Sequence, residues 1–230
     1  MKKTFNTFKI NSSSGFSLIE LLVVISIFTI ITSVVLVNQS RFSSDIVITN
    51  LAYEIALEVR QAQTYGIAVR GTASADNPAL LLFKQAYGVH FGTAPEGTGG
   101  AKGYNPATSF AMFADIDQTV PNNGLFDNVD ESVDVFRLPG GNSIVDFCYG
   151  DLSLEGQWGC HKAGGGTVTS MDITFTRPKP DAHFRINGQT EEVAGPATIT
   201  VESSLGDKCK QVVVESTGQI AVNPNTVPCP

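Results

Sequence analysis

Charged residues are scarce in this chain of 230 residues, at 16% of the sequence, and basic residues are scarcer than acidic ones, so that the formal net charge is −7. Because non-specific phosphate binding depends on clustered Lys and Arg, this balance argues against a nucleic-acid-binding arm. A hydrophobic content of 42%, with 14 Phe, argues against disorder and against a collagen-like fibre. The length suits one domain, with or without an appendage.

Catalytic and metal-binding motifs are absent as well. The three His are scattered, at His90, His161 and His183, and there is no C-x-x-C pair. The sequence also lacks the G-x-S-x-G, H-E-x-x-H, P-loop and G-x-G-x-x-G patterns, and no nucleophile has a base at motif spacing. The sequence therefore predicts a protein that is not an enzyme and that needs no cofactor.

One long apolar run stands near the start of the chain. Between Phe16 and Val37 the only charged residue is Glu20. At about 1.5 Å per residue a helix over this run is roughly 33 Å long, which matches the hydrocarbon core of a membrane. Residues 1–15 contain three Lys and no acid. This asymmetry predicts a single-pass membrane protein, with its N-terminus in the cytoplasm and its C-terminal domain outside.

The run differs from the core of an ordinary secretory signal peptide. It is longer than the typical apolar region of about 7 to 15 residues, and the small residue Gly15 precedes it instead of following it. Unpaired, the carboxylate of Glu20 costs about 2 to 3 kcal/mol near the centre of a membrane helix. A cut between Gly15 and Phe16 would supply a partner, because it frees an amine one helical turn before Glu20. Such a pair is satisfied at one axial offset, so it would also set the register between neighbouring helices.

Residues 15–31, GFSLIELLVVISIFTII, resemble the type III signal of type IV pilins and type II secretion pseudopilins. The resemblance implies that a prepilin peptidase cleaves after Gly15 and methylates the amine of Phe16. It also implies that Glu20 is the glutamate of filament assembly. The expected partners are prepilin peptidase, the inner membrane, and other pilin or pseudopilin subunits through the N-terminal helix.

The helical pattern continues beyond the apolar run. No Pro occurs between residues 16 and 77, and Leu51, Ile55, Val59 and Ala62 recur at helical spacing as an apolar stripe. Gly66 is a plausible end of the helix. We therefore divide the chain into a cleaved leader at 1–15, a membrane or filament-core helix at 16–37, its amphipathic continuation at 38–66, and a domain at 67–230.

The domain at 67–230 is expected to be rich in β-strands. Short segments rich in Val, Ile, Phe and Thr alternate with Gly, Pro and Asn clusters, which predicts antiparallel sheets. The segments are 80–83, 87–91, 109–113, 133–138, 171–176, 182–186, 197–202, 211–215 and 219–222. With one amphipathic helix to cover a sheet face, the fold class is α+β, and the resemblance implies a pilin-like arrangement.

Both ends of the region after the apolar run resemble the H-class minor pseudopilins and their pilus counterparts, the GspH/FimT group. At the first end the helical segment at 51–70 carries an approximate Arg-x-x-Ala element around Arg60 and Gln63, although the spacing is imperfect. At the second end, residues 197–222 form a terminal hairpin with Ser-Thr-Gly at 216–218 as its tip. The middle of the domain lies outside this resemblance.

The four cysteines lie in the part expected outside the membrane, where disulfides form readily. Three pairings are open, with free buried thiols as an alternative. We favour Cys148 with Cys160, which would close a loop of little regular pattern and contribute about 3 kcal/mol. We favour Cys209 with Cys229, which would fasten the C-terminal tail across the base of the last hairpin. The spacing does not suit a zinc site.

Two charged groups of residues carry alternative hypotheses. Acids and one amide in the segment 113–134 are candidate Ca²⁺ ligands, but their spacing differs from the EF-hand pattern, so a solvated acidic loop is the expectation. They are Asp115, Asp117, Asn123, Asp127, Asp130 and Glu131.

The basic residues near 171–186 are the candidates for a DNA contact, and their expected role is solvated surface charge. They are Lys162, Arg177, Lys179 and Arg185.

The leading functional expectation is a minor pilin or pseudopilin that is processed, waits in the inner membrane and joins a filament of a type IV pilus or type II secretion pseudopilus. DNA capture for uptake is one alternative, although after Glu20 the chain holds 21 acids against 12 Lys and Arg, so no nucleic acid is expected. A membrane-anchored surface protein that never polymerises is the other.

Overall fold

The computed structural model of the chain describes residues 15–68, 70–73, 81–83, 85–93, 103–116, 123–150, 158–162 and 166–230, with the side chains of residues 37–43, 72, 73, 82 and 129 outside that description. The chain forms two compact units, Met1–Phe42 and Ser43–Pro230. Within the described residues one α-helix is followed by antiparallel strands, which confirms the predicted α+β class. The predicted leader up to residue 14, and Asp117, lie outside the described residues.

The elements follow one another in a simple order. The helix α1 spans Leu18–Ile67. The strands are β1 (Thr72–Ala73), β2 (Leu81–Leu82), β3 (Tyr87–Gly92), β4 (Ser109–Ala114), β5 (Ser132–Arg137), β6 (Ser143–Gly150), β7 (Trp158–Cys160), β8 (Ser170–Phe175), β9 (Ala182–Ile186), β10 (Glu192–Val193), β11 (Ala197–Glu202), β12 (Cys209–Val214) and β13 (Ile220–Val222). A short 3₁₀ turn, Val129–Glu131, leads into β5.

The strands form two large sheets and one small hairpin. The six-stranded sheet has the order β10-β9-β8-β3-β4-β5, and the five-stranded sheet has the order β13-β12-β11-β6-β7. Strands β1 and β2 pair with each other. All described pairings are antiparallel, as the alternating pattern predicts.

The core of the unit Ser43–Pro230 joins the second half of α1 to one face of each large sheet. Leu51, Ile55, Val59 and Ala62 of the predicted stripe are at most 4% exposed, which confirms that face of the helix. They share one apolar cluster with alternate residues of the strands, as expected for sheets with one face on a core. These strand residues include Val89, Phe91, Phe110, Met112, Ile173, Phe175, Ile199, Val201, Val212 and Val214.

Strands β6 and β7 are a correction, because no strand is predicted at 143–150 or 158–160 and the loop between Cys148 and Cys160 is expected to have little regular pattern. Cys148 lies in β6 and Cys160 in β7, and the two residues are paired directly across the ladder. The pattern is obscured by Asp146, which is buried inside β6 and accepts a hydrogen bond from the backbone N–H of Lys162 at 2.8 Å. A buried acid with a backbone partner breaks the apolar alternation without breaking the strand.

Candidate processing and assembly site

The helix α1 begins at Leu18 with Ser17 as its N-cap. Residues 15–17 precede it without regular secondary structure. The backbone N–H of Glu20 lies 3.1 Å from the Ser17 carbonyl oxygen and 3.3 Å from its Oγ. A Ser hydroxyl that accepts from the third helical residue satisfies one of the free N–H groups of a helix start. Ser17 and Glu20 thus have the S-x-x-E spacing of a capping box, a signal that the sequence analysis missed.

The carboxylate of Glu20 lies in the first turn of α1. The free N–H groups of a first turn carry partial positive charge, which stabilises an anion there by about 0.3 to 1 kcal/mol at an exposed position. The residue is exposed, and within the described residues its carboxylate takes part in no ion pair. The exposed carboxylate is accessible from outside this helix.

The segment Leu18–Leu36 is long and apolar enough to cross a membrane, and none of it is buried within the unit. Large side chains such as Ile19, Phe28 and Leu36 are more than 60% exposed. The hydroxyl groups in the segment bond to carbonyls of the preceding turn, among them Ser26 Oγ to the Val23 oxygen at 2.8 Å and Thr32 Oγ1 to the Phe28 oxygen at 2.8 Å. The surface is therefore suited to lipid or to other apolar helices.

The cysteines form the two pairs that the sequence analysis favours. Cys148 and Cys160 have Cα atoms 4.0 Å apart across β6 and β7. Cys209 and Cys229 have Cα atoms 5.4 Å apart and tie the tail to the start of β12. The tail is also held by a bridge between Cys209 and Val227. All four sulfurs are in disulfides, so their proximity to buried or half-buried acids does not create thiolate metal ligands.

The end of α1 contacts the tip of the terminal hairpin. Gln63 Nε2 donates to the carbonyl oxygens of Pro180 at 2.9 Å and Gly218 at 2.8 Å, and Arg60 Nη2 donates to the Ile220 oxygen at 3.3 Å. Gly218 has φ +81°, and a Cβ there would stand 1.9 Å from the Pro180 oxygen. The hairpin tip therefore needs glycine where it meets the helix. We call this arrangement the helix–hairpin contact.

The acidic residues of the segment 113–134 brace the backbone of their own loop. Asp115 Oδ2 accepts from the Gly124 N–H at 2.7 Å, and Glu131 Oε2 accepts from the Asp127 N–H at 2.8 Å. Both acids are buried. Carboxylates that accept backbone N–H bonds fix a loop without a metal ion. The solvated loop expected from the sequence is thus partly wrong, because two of its acids are internal.

The three His have separate partners. His90 pairs with Asp172 inside the fold, the His161 ring stacks on Phe147 with centroids 4.7 Å apart, and His183 contacts a Glu at the surface. Of the four basic candidates for a DNA contact, Arg185 is occupied, since its Nη2 lies 2.9 Å from Glu192 Oε1. The other three stand on loops outside the strands.

Comparison with known proteins gives one match. Residues 10–36 match the family model described as the prokaryotic N-terminal methylation motif. No curated protein and no solved structure gives a significant match to the chain. The matched segment covers Gly15, Phe16, the Ser17 cap and Glu20, together with the exposed apolar half of α1. The chain therefore carries a prokaryotic N-terminal methylation motif at residues 10–36.

Proposed function

We propose that the chain is a minor pilin or pseudopilin, a structural subunit that prepilin peptidase cleaves between Gly15 and Phe16 and methylates at the new amine. The match of residues 10–36 to the methylation motif carries this proposal. The subunit is held in the inner membrane by the segment Leu18–Leu36, with the domain on the outer side. It then enters a pilus or pseudopilus through the same segment.

Glu20 selects the register of assembly. Its carboxylate is partnered weakly by the first turn of its own helix, and a free amine at Phe16 of a neighbouring subunit is a full positive charge. In apolar surroundings the attraction between such charges greatly exceeds its value in water. An unpaired carboxylate there is correspondingly costly. Subunits therefore pack with lowest free energy at the axial offset that brings the amine and the carboxylate together.

We assign the subunit to the H class of minor pseudopilins or its pilus counterparts. The helix–hairpin contact supports this, because Arg60 and Gln63 in the Arg-x-x-Ala region contact the terminal hairpin around Gly218. The two sequence regions that carry the resemblance are thus joined in space. The domain then lies at or near the surface or tip of the filament.

The test compares Glu20→Ala and Glu20→Gln with wild type in cells that hold the prepilin peptidase and the other subunits. Both variants should be cleaved normally and should enter sheared filaments at least about tenfold less, which corresponds to 1.4 kcal/mol. Glu54→Ala removes an exposed acid from the same helix and should incorporate as wild type does. Ser17→Ala, which weakens the cap by about 1 kcal/mol, separates helix capping from charge pairing.

Equal incorporation of Glu20→Ala and wild type would refute the register role. A loss in Ser17→Ala as large as that in Glu20→Ala would assign the effect to the cap instead. Cleaved wild-type subunits that stay in the membrane fraction, in cells that make filaments, would favour an anchored surface protein that does not polymerise.

A further inference from the structure

The six-stranded sheet carries a second, smaller apolar cluster on the face that points away from the main core. Tyr104, Ala111, Phe113 and Phe126 form it, with Val135 packed against it. Phe126 lies in the segment 123–131, and the Tyr104 hydroxyl donates to the Gly92 carbonyl at 2.7 Å. We call the segments 103–104 and 123–131 the outer cover, because together with this cluster they shield that face from solvent.

A pair of ionisable side chains lies beneath the outer cover. His90 of β3 and Asp172 of β8 stand directly opposite each other in the ladder. Nδ1 of His90 is 2.7 Å from Oδ1 of Asp172, and both side chains are at most 3% exposed. The His90 ring contacts the rings of Phe126 and Tyr104, with centroids 5.1 Å and 6.1 Å away. The pair therefore links the sheet to the cover.

The hydrogen-bond partners of His90 restrict which atoms of the His90–Asp172 pair carry hydrogens. Nε2 of His90 lies 3.1 Å from the Thr93 carbonyl oxygen, and a carbonyl accepts but never donates, so Nε2 carries a hydrogen. At Nδ1 the proton lies either on the ring, facing an ionised Asp172, or on a neutral carboxyl group. The charges nearby decide between these states.

The cover and the sheet face carry more negative than positive charge around the pair. Glu131 of the cover and Asp115, which directly follows β4, both accept backbone N–H bonds from the cover. Two guanidinium groups lie among the described residues of this face. Arg185 pairs with Glu192, and Arg137 Nε donates to the Gly103 carbonyl oxygen of the cover at 3.2 Å. The carboxylate of Asp172, 2.7 Å from Nδ1, is the partner that a buried imidazolium ring requires. Burial, followed by the negative charge of Asp172, raises the pKa of Tyr104.

We propose that His90 and Asp172 form a buried imidazolium–carboxylate pair that holds the outer cover closed over the six-stranded sheet. Both ring nitrogens of His90 carry hydrogens, and the charged pair joins β3 to β8 beneath the rings of the cover, in addition to the Tyr104–Gly92 and Asp115–Gly124 hydrogen bonds. Removal of one partner leaves the other charge buried without a counter-charge, which is costly in free energy. Replacement of both partners by apolar groups removes that cost. The cover should therefore open in single variants and close again in the double variant.

The first experiment reads the protons in the intact wild-type chain. The full chain in nanodiscs, labelled with ¹⁵N in its three His, gives three ring systems, and His90→Gln identifies the resonances of His90. At neutral pH both nitrogens of His90 should show a directly bonded hydrogen. An Nδ1 without a bonded hydrogen would overturn the charged pair.

The second experiment follows hydrogen–deuterium exchange of the cover segment 123–131, with β11 and β12 as the reference. His90→Gln and Asp172→Asn should each speed exchange in the cover at least about 100-fold, while the double variant His90→Phe with Asp172→Leu should stay within about tenfold of wild type. His183→Gln breaks a half-exposed contact of the same kind, to Glu192, and should leave the cover unchanged.

Three results would overturn the proposal. Cover exchange unchanged in both single variants would show that the pair does not hold it. A double variant that exchanges faster than either single variant would show simple loss of packing. Faster exchange in β11 and β12 to the same extent as in the cover would show global unfolding, and the cover would then not be an independent unit.

Discussion

The two disulfides should contribute unequally to the stability of the folded chain. The one that closes the shorter loop should contribute more. Cys148–Cys160 closes a separation of 12 residues and Cys209–Cys229 one of 20. Loop-closure entropy alone gives about 2.8 kcal/mol for the first and about 3.3 kcal/mol for the second. These values assume that the folded chain keeps its structure when the bond is removed.

That assumption holds for Cys148–Cys160. Without the bond, β7 still pairs with β6 along its whole length. The His161 N–H donates to the Phe147 oxygen at 2.9 Å, and the Lys162 N–H donates to Asp146. The folded state therefore gains little freedom, and Cys148→Ala with Cys160→Ala should lose nearly the full value of about 2.8 kcal/mol.

The assumption fails for Cys209–Cys229. The tail from residue 223 is mostly exposed, and apart from the disulfide it is tied by a few bonds, including the bridge to Val227 and Lys210 Nζ to the Pro224 oxygen at 2.6 Å. Once Cys209→Ala and Cys229→Ala remove the bond, the tail frays in the folded state too. The folded and the unfolded states then both gain conformational freedom. The free energy of unfolding should therefore fall by only about 1 to 2 kcal/mol, less than the loop-closure entropy predicts.

Urea titration of the two oxidised double variants measures the difference between their free energies of unfolding. The fluorescence of the single Trp, Trp158 in β7, reports on unfolding of the five-stranded sheet, with reduced wild type as the control for loss of both bonds. If the Cys209–Cys229 variant is less stable than the Cys148–Cys160 variant, the argument that the tail frays is wrong and loop length governs.

Gln63→Ala removes two hydrogen bonds of the helix–hairpin contact, including the one to Gly218, and at about 1 kcal/mol each should lower the free energy of unfolding by about 2 kcal/mol in urea; an unchanged value would contradict the role of this contact. Burial and the charge of Asp172 raise the pKa of Tyr104, so the folded state keeps that proton longer than the unfolded chain, and stability should fall as pH rises through about 10. Tyr104→Phe should show a weaker fall in urea titrations at successive pH values, and an equal fall would refute this assignment. Burial, followed by nearby carboxylates, raises the pKa of Glu58 above its usual 4.5, so wild type loses stability as pH rises past that value. The Tm of Glu58→Gln relative to that of wild type should therefore rise between pH 4 and pH 7. A difference in Tm that stays constant over this range would contradict the prediction.

Local patterns made the helix and most strands predictable. The 3.6-residue stripe of Leu51, Ile55 and Val59 and the period-two strands depend on neighbours in sequence, and such signals are readable without a fold. The S-x-x-E spacing of Ser17 and Glu20 is an equally local signal, and it indicates the helix start independently of the membrane cost and charge pairing of the carboxylate.

Long-range contacts of buried polar side chains were not predictable. His90 and Asp172 are 82 positions apart, and nothing in the flanking residues of either indicates the other. The buried Asp146 hid β6, because its partner is a backbone group of a later segment. In both cases the polar residue is explained by a contact that exists only once the sheets have formed.

The central claim is that the chain is processed at the junction of Gly15 and Phe16. Mass spectrometry of the N-terminal peptide, from the native protein purified out of the membrane and out of sheared filaments, tests it most directly. We expect a peptide that begins with N-methylated Phe16 in both fractions. A peptide that still begins at Met1, or one that begins beyond Val37, would contradict it.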